Sequence, residues 1–200
     1  MVIGLLLSYI LGSIPTAYLV GKKIKGIDIR QYGSGNVGAT NVFRVVGRKW
    51  GMGVLVFDMF KGFIVAGWLP RFFVTSGAER FTAGLLFGIA AILGHTWSVW
   101  LKFRGGKGVA TSAGVAMALV PLAASVTVLT WVLIFTFTRY VSLASLIAAC
   151  VFPLGVILLY RAAPFFASFL PICLGLTLFI FYTHRENIKR LKEGTEKRLI

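Results

Sequence analysis

The sequence predicts an all-α integral membrane bundle, and three observations lead to that fold class. Of the 200 residues, 58% are apolar and only 14% are charged, whereas about a quarter of the residues in a soluble domain are charged. The apolar residues fall in long runs, most of which have the length that spans a bilayer core. Aromatic residues with a polar edge stand at the ends of these runs, as interfacial anchors do. The length fits one compact membrane-embedded domain over residues 1–200.

The apolar runs define the predicted helices in chain order. The first begins at Met1 without the basic start and the cleavage site of a signal peptide, so we expect a retained helix. The fourth is too long for one easy crossing and too short for two full ones, and Pro121 lies inside it. We therefore expect it to form a short helix to about residue 120 and a longer one after it. The runs lie at residues 1–20, 51–69, 81–101, 109–138, 141–160 and 164–183.

The distribution of basic residues decides between six and seven crossings. With six, the basic segments 22–49 and 185–198 would lie on opposite sides of the membrane, against the positive-inside rule. With seven, all but four of the 21 Lys and Arg residues face the cytoplasm. We therefore predict seven transmembrane helices, with the N-terminus outside, the C-terminus cytoplasmic and a short half-helix after a glycine-rich loop. The net charge of +15 then suits anionic lipid headgroups, and no nucleic-acid partner is expected.

Residues 33–41, the first glycine-rich loop, are dense in glycine, hydroxyl and amide groups. Such a loop can bring backbone N–H groups and side-chain donors together on an anion. Arg44 follows and can give a bidentate phosphate contact. The glycine spacing is similar to that of a P-loop, but Ala39 stands where that motif needs lysine, which excludes an NTPase. The alternative is a flexible connection between helices.

Residues 104–108, the second glycine-rich loop, lead directly into the predicted short helix before Pro121. A helix N-terminus at such a loop points its positive dipole end at a bound anion. Arg104 and Lys107 would add two positive charges to that site. The alternative is a basic topology signal with a glycine turn.

The remaining candidates are polar residues in or beside the apolar runs. His95 is either functional or a hydrogen-bonding group between helices. Asp58 and Lys61, spaced i,i+3, are expected to neutralise each other as a structural pair. His184 and Asn187 share a face if the last helix continues, and either reach over the mouth of the bundle or belong to a lipid-bound tail. No metal site is expected, because both cysteines lie inside apolar runs.

Five motifs, taken together, closely resemble those of the bacterial acyl-phosphate:glycerol-3-phosphate acyltransferases, the PlsY family. Each is weak alone, but in this order they are specific, and they run from the first helix to the tail. The only departure is Arg104, at a position where lysine would also be usual. The motifs are GSGNVGATNVFR, D-x-x-K-G from Asp58 to Gly62, GH followed by F-R-G-G-K-G-V-A-T, R-Y-V-S-L-A-S and H-R-E-N-I.

The resemblance implies transfer of a fatty acyl group from acyl phosphate to the 1-hydroxyl of glycerol 3-phosphate. The products are lysophosphatidic acid and phosphate, in the first step of bacterial phospholipid synthesis at the cytoplasmic face of the inner membrane. It implies no cofactor; the partners are the two substrates, membrane lipid and, transiently, the enzyme that makes acyl phosphate. The catalytic residues implied are Ser34, Arg44, His95, His184 and Asn187; those implied to bind substrate are Gly35, Asn36, Gly38, Thr40, Asn41, Arg104, Gly105, Gly106, Lys107, Gly108, Thr111 and Ser142.

The proposed chemistry leaves two questions open at the level of sequence. Acyl phosphate is a mixed anhydride with a good leaving group, so no covalent enzyme nucleophile is needed. The proton of the attacking hydroxyl can pass to His95, to His184 or to the leaving phosphate. The alternative function is a small membrane transporter for a phosphate-bearing anion, which should give access from both sides. The predicted outer segments 70–80 and 161–163 are short and carry few polar groups suited to that task.

Overall fold

The computed structural model describes residues 1–199, which form helices and loops with no β-strand. The chain divides into two compact units, Met1–Leu119 and Val120–Ile200. Short 3₁₀ turns cover Ile29–Gln31, Leu69–Phe72 and Val99–Leu101. The α-helices of the described residues are α1 Val2–Ser13, α2 Thr16–Lys25, α3 Ala39–Val45, α4 Arg48–Gly67, α5 Gly77–Thr96, α6 Val109–Leu119, α7 Pro121–Thr138, α8 Val141–Tyr160, α9 Phe166–Thr183 and α10 Arg185–Lys192.

Six helical segments of the described chain are long and apolar enough to cross a membrane. The predicted all-α class is therefore confirmed, and these segments have the composition of membrane helices. Helix α6 has 11 residues, or about 16 Å of helix, which is shorter than a bilayer core. A seventh crossing stays a prediction. The six segments are Val2–Lys25, Arg48–Phe72, Gly77–Leu101, Pro121–Thr138, Val141–Tyr160 and Phe166–Thr183.

The first apolar run is broken at Pro15, although its composition predicts one continuous helix. Proline has no N–H to donate and holds the preceding residue in an extended conformation. Ile14 accordingly has ψ 114°, and α1 ends at Ser13. The break leaves the carbonyl oxygen of Ile14 outside the regular helical ladder, where it accepts a hydrogen bond of 3.1 Å from Lys61 Nζ. The break thus supplies a backbone hydrogen-bond acceptor to the buried ammonium group of Lys61.

The predicted break near Pro121 is confirmed, because α6 ends at Leu119 and α7 begins at Pro121. Proline is well placed at the first position of a helix, where its missing N–H has no partner to lose. The intervening Val120 is not helical, with ψ 67°. The long run is therefore a short helix that follows the second glycine-rich loop and a separate longer helix.

Close helix packing in the first unit depends on glycines. A Cβ at Gly62 would lie against the carbonyl oxygen of Thr111, and one at Gly114 would lie against that of Met59. Helices α4 and α6 therefore approach backbone to backbone, as small residues allow in membranes. This contact fixes the first turn of α6, and with it the end of the second glycine-rich loop, on α4.

Candidate active site

The first glycine-rich loop is shaped by the side chain of Asn41, which is fully buried. Its Nδ2 donates to the carbonyl oxygens of Ile29 at 3.1 Å and Tyr32 at 3.0 Å. Its Oδ1 accepts a hydrogen bond of 2.9 Å from the backbone N–H of Ser34. Gly33 turns the chain at φ 62°, a left-handed conformation that suits glycine. The loop is thus wrapped around one amide, and Ser34 stands exposed at its tip.

Asn41 is a predicted substrate-binding residue, and its side-chain amide makes hydrogen bonds to the backbone of its own loop. A contact between Asn41 and substrate stays a prediction. Gly35 is exposed, and Asn36, Gly38, Thr40 and Arg44 are partly buried. Thr40 lies in the first turn of α3 and Arg44 one turn later, and Arg44 makes further contacts of its own.

The second glycine-rich loop is hydrogen-bonded to the C-terminal end of α5. The backbone N–H of Gly105 donates to the carbonyl oxygen of Thr96 at 2.9 Å, and that of Gly106 to His95 at 3.0 Å. These bonds use the carbonyl groups that a helix leaves unpaired at its C-terminus. The loop therefore continues the end of α5 as an ordered structure.

The two glycine-rich loops meet at Gly106. A Cβ on this residue would lie against Nε2 of His95 and 2.7 Å from the carbonyl oxygen of Val37. Only a residue without a side chain lets the loops approach this closely. Beside the contact lies a cavity of about 10 Å³, room for about one water molecule. His95, Val37, Gly105 and Gly106 line it together with residues of the break at Pro15.

A larger open cleft of about 470 Å³ lies between the two loops on the side of Arg104. This volume is in the range of small-molecule sites. Arg30 forms an ion pair of 2.6 Å with Asp28 in the cleft wall. The hydrogen bonds from Arg30 hold the pKa of the Asp28 carboxyl below its ordinary value. The cleft is lined by Asp28, Arg30, Gln31, Gly35, Val37, Arg104 and Gly105.

Helix α6 begins at Val109 directly after the second loop, so the predicted helix N-terminus is in place. Gly108, with φ 83°, makes the turn into it. The hydroxyl groups of Thr111 and Ser112 are buried in the first turn, with no hydrogen-bond partner among the described residues. Lys107 is partly buried and makes contacts within the protein. Thr111 thus lies in the first turn of α6, where the sequence predicts an anion site.

The predicted pair of Asp58 and Lys61 is confirmed and belongs to a larger charge cluster, completed by His95. Lys61 Nζ lies 2.8 Å from Asp58 Oδ1 and 3.1 Å from His95 Nδ1. Thr16 Oγ1 donates a hydrogen bond of 3.1 Å to the same carboxylate oxygen. Both charged side chains are nearly excluded from solvent, with 4% and 3% exposure. Sequence spacing indicated the pair but not the link to His95, which lies 34 positions away.

In the second unit, His184 caps the junction of α9 and α10 and is 3% exposed. Its Nδ1 lies 2.8 Å from the carbonyl oxygen of Ile180. Because a carbonyl oxygen can only accept, Nδ1 carries the ring proton and Nε2 carries the lone pair. The neutral ring in this tautomer keeps its lone pair on Nε2.

Asn187 and Ser142, two predicted site residues, are brought together by Glu196. Oε1 of Glu196 accepts hydrogen bonds of 2.6 Å from Asn187 Nδ2 and 2.7 Å from Ser142 Oγ. Oε2 accepts one of 2.7 Å from Arg190 Nε. We call these four residues the glutamate network. Glu196 was not among the predicted site residues, because no spacing pattern links it to Ser142, 54 positions earlier.

Glu196 should make stability depend on pH. Burial raises the pKa of its carboxyl, but hydrogen bonds from Asn187, Ser142 and Arg190 outweigh that effect, so the pKa lies below its ordinary 4.5. A lowered pKa stabilises the fold fully above the ordinary value, and this contribution is lost as pH falls through the folded-state value. We expect the thermal midpoint of the detergent-solubilised protein to fall as pH drops below about 4.5, and Glu196→Gln to reduce that dependence. Exposed Glu193→Gln is the control; equal pH dependence of wild type and Glu196→Gln would contradict the assignment.

Comparison with known proteins identifies similar sequences over nearly the whole chain. The profile of the family described as "Glycerol-3-phosphate acyltransferase" matches residues 2–194. A glycerol-3-phosphate acyltransferase of Desulforudis audaxviator is 48% identical, covering 99% of this chain and 94% of the relative. One of Enterococcus faecalis is 44% identical, covering 99% of this chain and 91% of the relative.

Two solved structures are similar in fold. One is the glycerol 3-phosphate form of PlsY (YgiH), described as an integral membrane glycerol 3-phosphate acyltransferase. It has a TM-score of 0.84 and 41% identity, over 98% of this chain and 94% of that chain. The other is the lysophosphatidic acid form, with a TM-score of 0.82 and 40% identity over the same shares of the two chains.

Proposed function

This chain belongs to the glycerol-3-phosphate acyltransferase family, and on that premise we propose that it transfers a fatty acyl group from acyl phosphate to the 1-hydroxyl of glycerol 3-phosphate. The products are 1-acylglycerol 3-phosphate and inorganic phosphate. The observation that carries this proposal is the likeness, over 98% of the chain, to an acyltransferase structure described as its glycerol 3-phosphate form. The related structure in the lysophosphatidic acid form supports the same product.

The reaction needs two phosphate groups held side by side, so that the hydroxyl meets the acyl carbonyl. The oxygen of the 1-hydroxyl attacks the carbonyl carbon, and the bond from that carbon to the phosphate oxygen breaks. The phosphate leaves with the bonding electrons, and the hydroxyl proton passes to a base. Contact between the two glycine-rich loops at Gly106 supports this arrangement, since it brings the two predicted phosphate-binding segments together and Arg104 lines the cleft between them.

We assign the residues of the first unit to phosphate binding and charge stabilisation. Ser34 stands at the tip of the first loop, and Arg104 supplies a positive charge across the cleft. Charge-assisted hydrogen bonds of this kind are the strong ones for a phosphate. In the second unit, the lone pair on Nε2 of His184 suits proton removal. Asn187 presents an amide and Ser142 a hydroxyl, and both donate to the carboxylate of Glu196. The catalytic roles of Arg44, His184 and Asn187 follow the family resemblance.

The protein is a multi-pass membrane protein, as its apolar helices and its integral membrane relatives indicate. We propose seven crossings in the bacterial inner membrane, with the site on the cytoplasmic side and a single membrane-embedded domain over residues 1–200. The break at Pro121 and the placement of the basic residues support this count. A transient contact with the enzyme that makes acyl phosphate would deliver a labile, lipid-tailed donor.

The topology has a direct test in single-cysteine variants made after Cys150 and Cys173 are replaced. We expect an impermeant thiol reagent to label Ala78→Cys in intact cells, because residue 78 is exposed in the predicted outer loop. Lys23→Cys and Lys192→Cys should react only after the membrane is opened, since both positions are exposed in predicted cytoplasmic segments. Labelling of positions 23 and 192 from opposite faces would refute seven crossings.

The acyl donor is tested with purified protein and labelled glycerol 3-phosphate. We expect palmitoyl phosphate to be used and palmitoyl-CoA not to be used. Acyltransferases that use thioesters with this acceptor typically carry a His-x-x-x-x-Asp motif, whereas His95 leads to Trp100 and His184 leads to Lys189. Equal turnover of the CoA ester would overturn the donor assignment. The transporter alternative is not supported, because the relatives described above are acyltransferases.

A further inference from the structure

The ammonium group of Lys61 has three acceptors for its three protons. They are Asp58 Oδ1 at 2.8 Å, the carbonyl oxygen of Ile14 at 3.1 Å and His95 Nδ1 at 3.1 Å. Lys61 is 6% exposed, so water does not compete strongly for these bonds. The break at Pro15 is what brings the Ile14 carbonyl within reach.

This geometry fixes the proton of His95. An ammonium group donates and cannot accept, so Nδ1 of His95 must be the acceptor and the neutral ring carries its proton on Nε2. Asp58 does not compete for Nδ1, because its nearest oxygen is 3.8 Å away. That oxygen is already bonded by Lys61 and by Thr16.

The Nε2 edge of the ring faces the place where the two glycine-rich loops meet. A Cβ on Gly106 would touch Nε2, and His95 lines the small cavity beside Gly106 and Val37. With room for about one water-sized group, this cavity suits a single oxygen atom of a ligand. The N–H of His95 is therefore presented at the junction of the loops.

We propose that His95 is a hydrogen-bond donor to a negatively charged substrate oxygen, and that Lys61 is the positioning residue that holds His95 in this tautomer. The proposal rests on the proposed acyl transfer and deepens it. A ring with its proton on Nε2 cannot take a proton at that atom, so His95 is not the general base. The acceptor is an anionic oxygen, supplied either by a substrate phosphate or by the carbonyl oxygen as charge develops on it.

The tautomer can be read without an activity assay, because the chain has 2 histidines. The structure assigns them opposite tautomers, Nε2–H for His95 and Nδ1–H for His184. In ¹⁵N-histidine-labelled protein at about pH 8, above the ordinary titration range of imidazole, NMR should show one ring of each kind. His95→Gln identifies the His95 signals by removing them. A His95 ring protonated on Nδ1 would overturn the proposal.

The role of Lys61 is tested by removing its ammonium group. The double variant Asp58→Asn/Lys61→Met avoids a lone buried carboxylate, which would destabilise the fold strongly. We expect a mixture of tautomers at His95 in this variant and unchanged signals from His184. A His95 tautomer unchanged from wild type would show that Lys61 does not set it.

Two substitutions at His95 separate a donor from a base. Glutamine places an amide N–H near the position of Nε2 and cannot act as a base, whereas the shorter asparagine does not reach. We expect His95→Gln to keep kcat/KM within about tenfold of wild type and His95→Asn to lose about 100- to 1000-fold, the effect of removing one oxyanion donor. The pH profile of His95→Gln should match wild type. Equal losses in both variants, or none in either, would overturn the donor role.

The kinetic pattern distinguishes the two sources of the bound oxygen. If His95 donates to the phosphate of glycerol 3-phosphate, His95→Asn should raise KM for that substrate. If His95 donates to the developing oxyanion, the same variant should lower kcat. Failure of the proposed function itself has a different signature. In that case wild-type protein would not acylate glycerol 3-phosphate from palmitoyl phosphate. The NMR measurement would still test the tautomer of His95, because it does not depend on activity.

Discussion

Replacing Gly106 with alanine should reduce kcat/KM about 100-fold or more, the loss expected when reacting groups are displaced by about 1 Å. The added Cβ would lie against Nε2 of His95 and 2.7 Å from the carbonyl oxygen of Val37. Both neighbours are parts of ordered backbone or of the charge cluster, so the loops must separate. Gly106 is not one of the described glycines with a positive φ. The expected loss of activity in Gly106→Ala therefore comes from the steric clash of the added Cβ and not from an unfavourable backbone conformation.

A matched control is available in the same unit. A Cβ at Gly53, on α4, would meet nothing within 4 Å, and alanine is the better helix former. We expect Gly53→Ala to keep wild-type activity and thermal midpoint. The measurements are steady-state acyl transfer from palmitoyl phosphate and a thermal scan in detergent. If Gly106→Ala keeps more than about a third of wild-type kcat/KM, the loops do not need their close contact.

Replacing Arg104 with methionine should reduce kcat/KM for glycerol 3-phosphate by about 10- to 150-fold. That range corresponds to the loss of one charge-assisted contact, roughly 1.5–3 kcal/mol. Arg104 lines the cleft between the loops, and methionine keeps most of its apolar stem without the charge. Arg104→Lys should recover part of the loss, since lysine provides a point charge without the bidentate geometry.

The control for Arg104 is Lys102→Met, a charge removed from the same turn. Lys102 is exposed and does not line the cleft, so we expect less than about a threefold change there. The readout is KM and kcat with glycerol 3-phosphate varied at fixed palmitoyl phosphate. Wild-type kinetics in Arg104→Met would remove Arg104 from the phosphate site.

Local chemistry in the sequence predicts much of the fold. Pro121 inside a long apolar run predicts a break because proline lacks the N–H that a helix interior needs, and α7 begins at that residue. The same argument applies to Pro15, but the apolar residues around it hid the break. The last two spans also follow from hydropathy, since α8 and α9 lie close to the predicted runs.

The internal bonds of the candidate site could not be predicted in the same way. The partners of Asn41 lie 7 to 12 positions earlier in a loop with no periodicity. Glu196 meets Ser142 across 54 positions. Hydrophobic periodicity and glycine content indicate which segments form helices and which form site loops. They do not indicate which polar groups form hydrogen bonds with one another. The sequence therefore indicates the residues of the site and leaves their pairing to the fold.

The charge cluster has a consequence for the order in which the helices assemble in the bilayer. Helix α4 carries Asp58 and Lys61 near the middle of its length, and charged residues are unfavourable in a lipid environment unless they are paired. The i,i+3 ion pair is available within α4 itself, but the remaining ligands are Thr16 and the Ile14 carbonyl, which are synthesised before α4, and His95, synthesised after it. An inserting α4 can therefore satisfy its charges fully only when α5 has arrived beside it. We therefore expect the segment that carries Ile14 and Thr16, helix α4 and helix α5 to assemble together in the bilayer, and not one helix at a time.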